Sequence, residues 1–345
     1  ALAAGIKNIL AIALIIPAFY LFGWWIYNAF PNGFVPIEAA AALPWAASMG
    51  PDVQDMGTGI FWAAFALFGA TTGSILSGAV IERIRVSAFL ILTIFLGGVV
   101  WIMAGAWGWH PDGWLLTEFG YHDVGASGVV HAVAGFFTLG VMNLGARKGK
   151  FIDGVPQIIS PHSLPMTLIG LMMIIFGFFG FLGGCIIFNG GETGWTTIYG
   201  TPTNLSAFAF NTLMGFAGGI IGCYIATRDP FWTMSGGLVG IISVAAGLDI
   251  YSPSLAFIIA VTTGIVAVQF AKFLEKRGID DAVGAVSVHG FTGVVAVVLV
   301  GVFAGGTPNA EGLPEISFVG QLIGAAVMGL MGFVPGYGLS FLLKK

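Results

Sequence analysis

Hydrophobic residues run through this chain in long blocks separated by short polar breaks, and within a block they do not alternate with polar ones. Most blocks are twenty or more residues long, enough for an α-helix to cross a hydrocarbon core about 30 Å thick. The pattern predicts ten such helices, at 4–29, 57–81, 86–109, 123–145, 163–188, 203–226, 232–247, 254–273, 283–304 and 317–342. A membrane barrel would show short segments of period two instead, so a barrel is excluded. The seventh block is short for a full span and is flanked by Pro230 and Pro253, which predicts a helix that is tilted, broken or partly buried in protein.

Composition makes the membrane assignment firm. The 345 residues are 57% hydrophobic and 8% charged, far from the roughly 25% charged residues of soluble domains. The 54 glycines allow close helix contact, because small residues let backbones approach where no hydrophobic force drives helices together. The expectation is an all-α membrane protein folded as one domain over 1–345. The first 30 residues lack a charged amino-terminal region and a cleavage site, so they read as a span and not as a signal peptide. Cys185 and Cys223 both lie inside apolar runs and read as packing residues, without a disulfide framework or metal motif. No metal or cofactor is expected. No basic tract suggests a nucleic-acid partner, and no catalytic motif suggests an enzyme.

The 12 basic residues fall at every second connection: Lys7; Arg83 and Arg85; Arg147, Lys148 and Lys150; Arg228; Lys272, Lys276 and Arg277; Lys344 and Lys345. The connections 30–56, 110–122, 189–202, 248–253 and 305–316 hold none. By the positive-inside rule, both ends of this chain are expected on the cytoplasmic side of the cell membrane.

The chemistry sits in a repeat. Asp123 and His131 are eight residues apart at the start of the fourth helix, and Asp281 and His289 are eight apart at the start of the ninth. Five helices separate the copies. An odd offset reverses direction, so the halves, roughly 1–150 and 151–345, are expected to form an inverted five-helix repeat. Eight residues carry each imidazole about 12 Å inward, which places the two near the middle of the bilayer. A lone intramembrane histidine is as easily a ring satisfied by a backbone carbonyl; two at symmetry-related positions point to function. Asp123 and Asp281 read mainly as structural groups near the pore, at helix amino ends. Such a pair suits a small polar solute that exchanges hydrogen bonds or a proton, in a narrow, mostly apolar pore. Aromatic residues supply what remains, with Phe61, Trp62, Phe65, Trp107, Trp109, Phe178, Phe179 and Phe181 reading as core or interfacial belt and a few able to hold a cation over a ring face.

These residues resemble the ammonium transporter, methylammonium permease and Rhesus protein family nearly end to end. The resemblance is carried by Ile81-Glu82-Arg83, by Asp123 with Gly128-Val129-Val130-His131, by Arg147-Lys148-Gly149, by Pro161-His162-Ser163-Leu164-Pro165-Met166-Thr167, by Gly180-Phe181, and by Asp280-Asp281 with Val288-His289-Gly290 and Gly301-Val302-Phe303-Ala304. It implies a homotrimer with a central pore in each protomer. It further implies an outer vestibule at Phe65, Trp109 and Cys185 that recruits ammonium, a gate of stacked rings at Phe65 and Phe181, and a hydrogen-bonded histidine pair at His131 and His289. The chain departs from the family pattern at Leu182 (often Asn), Cys185 (Ser), Trp62 (commonly Gln) and Gly284 (commonly acidic). The family norm is eleven helices, and the match begins at the second.

Two functions stay open on these residues. One is an ammonium channel or transporter that passes ammonia, with or without a separately relayed proton. The other is an ammonium-sensing membrane module of a signalling receptor, a histidine kinase or cyclase fusion with its cytoplasmic domain after Lys345, which binds ammonium with little conduction.

Overall fold

The computed structural model describes residues 2–37, 56–190 and 194–343; most of the connection 30–56, together with Lys344 and Lys345, lies outside the described residues. Helix α1 comprises Leu2–Ala18, a π-turn at Phe19–Gly23 and Trp24–Ala29. Helix α2 is Met56–Ala79, and α3 comprises Val86–Phe95, a π-turn at Leu96–Val100 and Trp101–Trp109. The short α4, Trp114–Phe119, follows. Helix α5 opens with a π-turn at Ser127–Ala132 and continues as Val133–Val141. Next come α6 (Leu164–Gly183), α7 (Leu205–Thr227), α8 (Pro230–Ala245) and α9 (Pro253–Lys276). Helix α10 is a π-turn at Val286–Phe291 followed by Thr292–Phe303, and α11 is Phe318–Leu343.

Among the described residues nine helical runs are long and apolar enough to span a membrane, and Pro230–Ala245 is a shorter tenth. The expected spans are therefore all present, with ends displaced by a few residues. Side-chain caps set several of the true starts. Asp229 accepts the amide of Trp232 with Pro230 in the first turn of α8, and Ser252 accepts that of Leu255 with Pro253 in the first turn of α9. Proline fits there because the first-turn amides have no partner inside the helix. The two prolines thus begin helices and do not break one. Helix α8 is short because it is largely enclosed by protein, with nearly all of 235–245 buried.

The connections are not wholly irregular. β1 (Phe151–Ile152) pairs antiparallel with β2 (Val155–Pro156), and β3 (Ile186–Gly190), β4 (Gly194–Thr197) and β5 (Pro202–Thr203) form a second small sheet. The span expected over 163–188 accordingly stops at Gly183, where the Gly183-Gly184 pair ends α6 and the chain turns into β3.

The two helices that carry the histidines touch backbone to backbone. A Cβ on Gly135 would stand 2.0 Å from the amide nitrogen of Gly290, and one on Gly293 would stand 2.2 Å from the carbonyl of Ser127 and 2.7 Å from the nitrogen of Ala132. As residue numbers rise along α5 they fall along α10, so the helices cross antiparallel, as an inverted repeat requires. Each glycine lies four residues after a histidine and meets the residue just after the other histidine. Alanine at Gly135 is expected to push the helices apart, at a cost near or above the top of the roughly 1–3 kcal/mol typical of overpacking. A lowered unfolding temperature for Gly135→Ala, with a smaller loss for alanine at exposed Gly177, checks this; equal losses contradict it.

Candidate functional site

The histidines meet at this crossing. His131 sits in the π-turn that opens α5, one residue before its end, and His289 sits in the π-turn that opens α10. A π-turn widens the helix by one residue per turn, and such insertions gather at functional positions. The ring nitrogens His131 Nδ1 and His289 Nδ1 are 3.1 Å apart, with the rings nearly parallel at an interplanar angle of 21°.

One of two neutral rings in such a contact donates and the other accepts. The donor is then left with a bare Nε2 and the acceptor with an Nε2–H. The pair consequently presents one acceptor and one donor to its surroundings. His131 is fully buried, and its Nε2 has no hydrogen-bond partner among the described residues.

Those surroundings are a cavity of about 510 Å³ that also touches Phe68, Ile75, Phe178 and Phe181. The hydroxyl of Thr71, another lining residue, donates to the carbonyl of Leu67 2.9 Å away in its own helix. The polar side-chain groups that remain to meet a solute are the two imidazoles and the Ser74 hydroxyl. Phe178 and Phe181 flank His131 with ring centroids 5.9 and 5.5 Å away.

Two carboxylates hold the amide ends of the histidine helices. Asp123 Oδ2 accepts from the amides of Gly128 and Val129 at 2.8 and 2.9 Å, and also from the Tyr121 hydroxyl at 3.2 Å. Asp281 accepts from Ala285 and Val286 at 2.8 and 2.7 Å. Both act as N-terminal caps of the π-turns, satisfying donors that helix geometry leaves over. The eight-residue interval is thus the distance from a cap to the ring it positions.

The aromatic residues require a correction. Phe181 packs against Phe68, with centroids 4.3 Å apart and the rings tilted by 45°, and not against Phe65. Phe65 lies three residues earlier on the same face of α2, about one turn further from the histidines. It packs instead against Phe61, Trp109 and Trp101 at 4.4, 5.4 and 5.6 Å. Phe65, Trp109 and Cys185 are all buried and none lines the cavity. Trp109 Nε1 donates to the carbonyl of Asp123 at 2.7 Å, and the Cys185 thiol donates to that of Phe181 at 3.6 Å. Among the described residues this trio therefore forms a packed layer beside the Phe68 and Phe181 rings. Phe68 and the glycines at 135 and 293 escaped the sequence reading. The signal for the glycines was present, because each stands four residues after a histidine in both copies.

On the face that carries the basic connections, Asp280 joins three loops. Arg147 donates to its two carboxylate oxygens through Nε at 3.0 Å and Nη2 at 2.9 Å, its backbone amide adds a bond at 2.8 Å, and Arg83 Nη1 stands 3.4 Å away. Arg83 also donates to the carbonyls of Ala79 and Asp280, and to that of Gly145 at 2.8 Å.

Known proteins give the same picture. The sequence profile of the Ammonium Transporter Family matches residues 1–345. Ammonium transporter Amt2 of Methanocaldococcus jannaschii is 33% identical over 289 residues, covering 82% of this chain and 63% of that protein. Ammonium transporter Amt2 of Archaeoglobus fulgidus is 32% identical over 319 residues, covering 84% of this chain and 66% of that protein. The chain thus spans a little under two thirds of the length of these relatives. Among solved structures, a Sensor Amt Protein superposes with a TM-score of 0.78 at 25% identity, over 98% of this chain and 83% of that one. Rh50 of Nitrosomonas europaea shares the fold, with a TM-score of 0.65 at 19% identity over 99% of this chain and 88% of that one. The relatives are named as transporters and channels and not as enzymes. Apolar helices long enough to span a membrane, two histidines in contact where the helices that carry them cross, and a profile match over the whole length lead to one conclusion: this chain belongs to the ammonium transporter family.

Proposed function

We propose that this chain conducts ammonium-derived nitrogen across the cell membrane through the His131–His289 cavity. The observation that carries the reading is the 3.1 Å contact between the two imidazoles inside a mostly apolar chamber. A neutral pair offers one hydrogen-bond donor and one acceptor, which complements ammonia, itself both. A full positive charge is opposed by the apolar lining, because transferring an ion from water into such surroundings is costly. Ammonium is therefore expected to give up a proton before nitrogen passes Phe68 and Phe181, which close one end of the chamber. Phe65, Trp109 and Cys185 form the packed layer on the outer side of that gate.

The protein is read as a homotrimer in the bilayer, with the basic connections toward the cytoplasm. The outward apolar side chains of α6, with Phe176 at 81% and Met173 at 70% exposure, support a surface covered by lipid or by a second protomer.

Sensing is the second reading. It is favoured by the similarity to a Sensor Amt Protein and by the closed ring layer above the gate. Proteoliposomes loaded with a pH dye and pulsed with ammonium separate the two. Conduction is expected to give an internal pH transient faster than that of protein-free vesicles. No difference in rate, together with saturable ammonium binding measured by calorimetry, decides for sensing.

A further inference from the structure

We propose that His122 is a proton-operated clasp. Held as the imidazolium, it ties together three connections on the face that lacks basic residues, and it releases them when it loses its proton. Its ring is buried, and both ring nitrogens are engaged: Nδ1 stands 2.9 Å from Asn309 Oδ1 and Nε2 stands 3.1 Å from Asp249 Oδ1. The partners come from the α10–α11 and α8–α9 connections, and His122 lies between α4 and α5.

The argument turns on which atoms accept. The amide of Asn309 is oriented independently of His122, because its Nδ2 donates to the carbonyls of Gly120 at 3.2 Å and Pro314 at 3.3 Å. Turning the amide over would set its oxygen against both carbonyl oxygens. Oδ1 therefore faces the ring as an acceptor. The Asp249 carboxylate is an acceptor as well. A neutral imidazole has one N–H and can satisfy only one of these atoms, whereas the imidazolium has two and satisfies both. Loss of the proton leaves a buried nitrogen facing a buried oxygen lone pair to lone pair.

The groups around the ring agree. Asp249 faces it from the α8–α9 connection, Asp123 and Tyr121 are close in its own segment, and Tyr199 packs against it from the turn between β4 and β5 with centroids 5.0 Å apart. The backbone of His122 is fixed separately: Gln321 of α11 accepts its amide at 2.9 Å and donates to its carbonyl at 2.7 Å. Burial alone disfavours the cation, but the charge of Asp249, the bonds the ring donates to Asp249 and Asn309 and the charge of Asp123 outweigh it, and the ring is held above the ordinary histidine value. The sign follows: the clasp is closed below that ordinary value and opens as pH rises through the raised one. Asp123, the next residue, caps the π-turn that carries His131, so the clasp borders the anchor of the candidate pore helix.

Hydrogen exchange of the full chain in lipid nanodiscs, from about pH 5.5 to about pH 9 and corrected for intrinsic base catalysis, tests the clasp. In the wild type, protection of the three connections is expected to fall by up to about tenfold per pH unit above the transition, while α9 stays protected. His122→Gln keeps a hydrogen-bonding side chain without the titration and is expected to abolish that pH-dependent component. Asp249→Asn is expected to move the transition to lower pH. Wild-type protection that stays flat with pH, or an unchanged transition in His122→Gln, overturns the proposal. Should His122→Gln fail to fold, the His122 ring ¹⁵N shifts of the wild type decide: imidazolium shifts at neutral pH support the clasp, and a neutral tautomer refutes it.

Discussion

Alanine at His131 or at His289 is expected to slow ammonium flux by about tenfold to about a hundredfold, and alanine at both to slow it little further. The magnitude follows from what a solute loses. Inside a chamber lined by Phe68, Ile75, Phe178 and Phe181, a nitrogen that has shed its water finds few partners other than the imidazoles. Leaving one polar group unmet there costs about 1–3 kcal/mol, and each 1.4 kcal/mol is roughly a factor of ten in rate. The lack of additivity follows from the shared proton. The two rings are joined through Nδ1 at 3.1 Å, so removing either one releases the other from its tautomer and orientation. Initial rates of the pH transient in vesicles, normalised to reconstituted protein, measure the effect. Losses that multiply in the double variant would show two independent sites. Unchanged rates in both single variants would remove the pair from the pathway. Alanine at Phe68, which meets Phe181, is expected to alter the rate more than alanine at Phe65, which lines no part of the chamber.

The spans and the histidine pair were legible in the sequence for separate physical reasons. A helix in hydrocarbon must satisfy its own backbone, so its length is written as an unbroken apolar run. The histidines were legible because inversion copies an interval, and the copies Asp123–His131 and Asp281–His289 are identical in length. The ring that meets Phe181 was not legible. Phe65 and Phe68 are both phenylalanines on one face of α2, and hydropathy does not distinguish rings a turn apart; only the approach of Phe181 to Phe68 at 4.3 Å does. The π-turns at Ser127–Ala132 and Val286–Phe291 were hidden as well, because one extra residue in a turn leaves the apolar run unbroken. The His122 cluster was invisible for another reason. Its partners Asp249 and Asn309 lie 127 and 187 residues away in loops that carry no period.

Alanine at Asp280 is expected to be the most destabilising single change on the basic face, at about 3–5 kcal/mol, because it leaves buried charge without a partner. The side chain of Asp280 is 1% exposed, and those of Arg83 and Arg147 are 5% and 12% exposed. Burial by itself disfavours the Asp280 carboxylate, but its bonds from Arg147 and the charge of Arg83 prevail and hold it below the ordinary carboxylate value. A depressed carboxylate stabilises the fold above its unfolded value, and that contribution disappears as pH falls through the lower folded value. The gap between wild type and Asp280→Ala is therefore expected to be full at neutral pH and to close only in acid, below about pH 4. The mechanism also predicts a rescue. Removing Arg83 together with Asp280, as Arg83→Met with Asp280→Leu, is expected to recover part of the loss, because an apolar pair of similar volume leaves less charge uncompensated than a broken ion pair does. Unfolding temperatures in nanodiscs at pH 7 and at about pH 3 measure both effects. A double variant less stable than Asp280→Ala would show that Arg83 is held mainly by the carbonyls of Ala79, Gly145 and Asp280, and that the carboxylate is not its principal anchor.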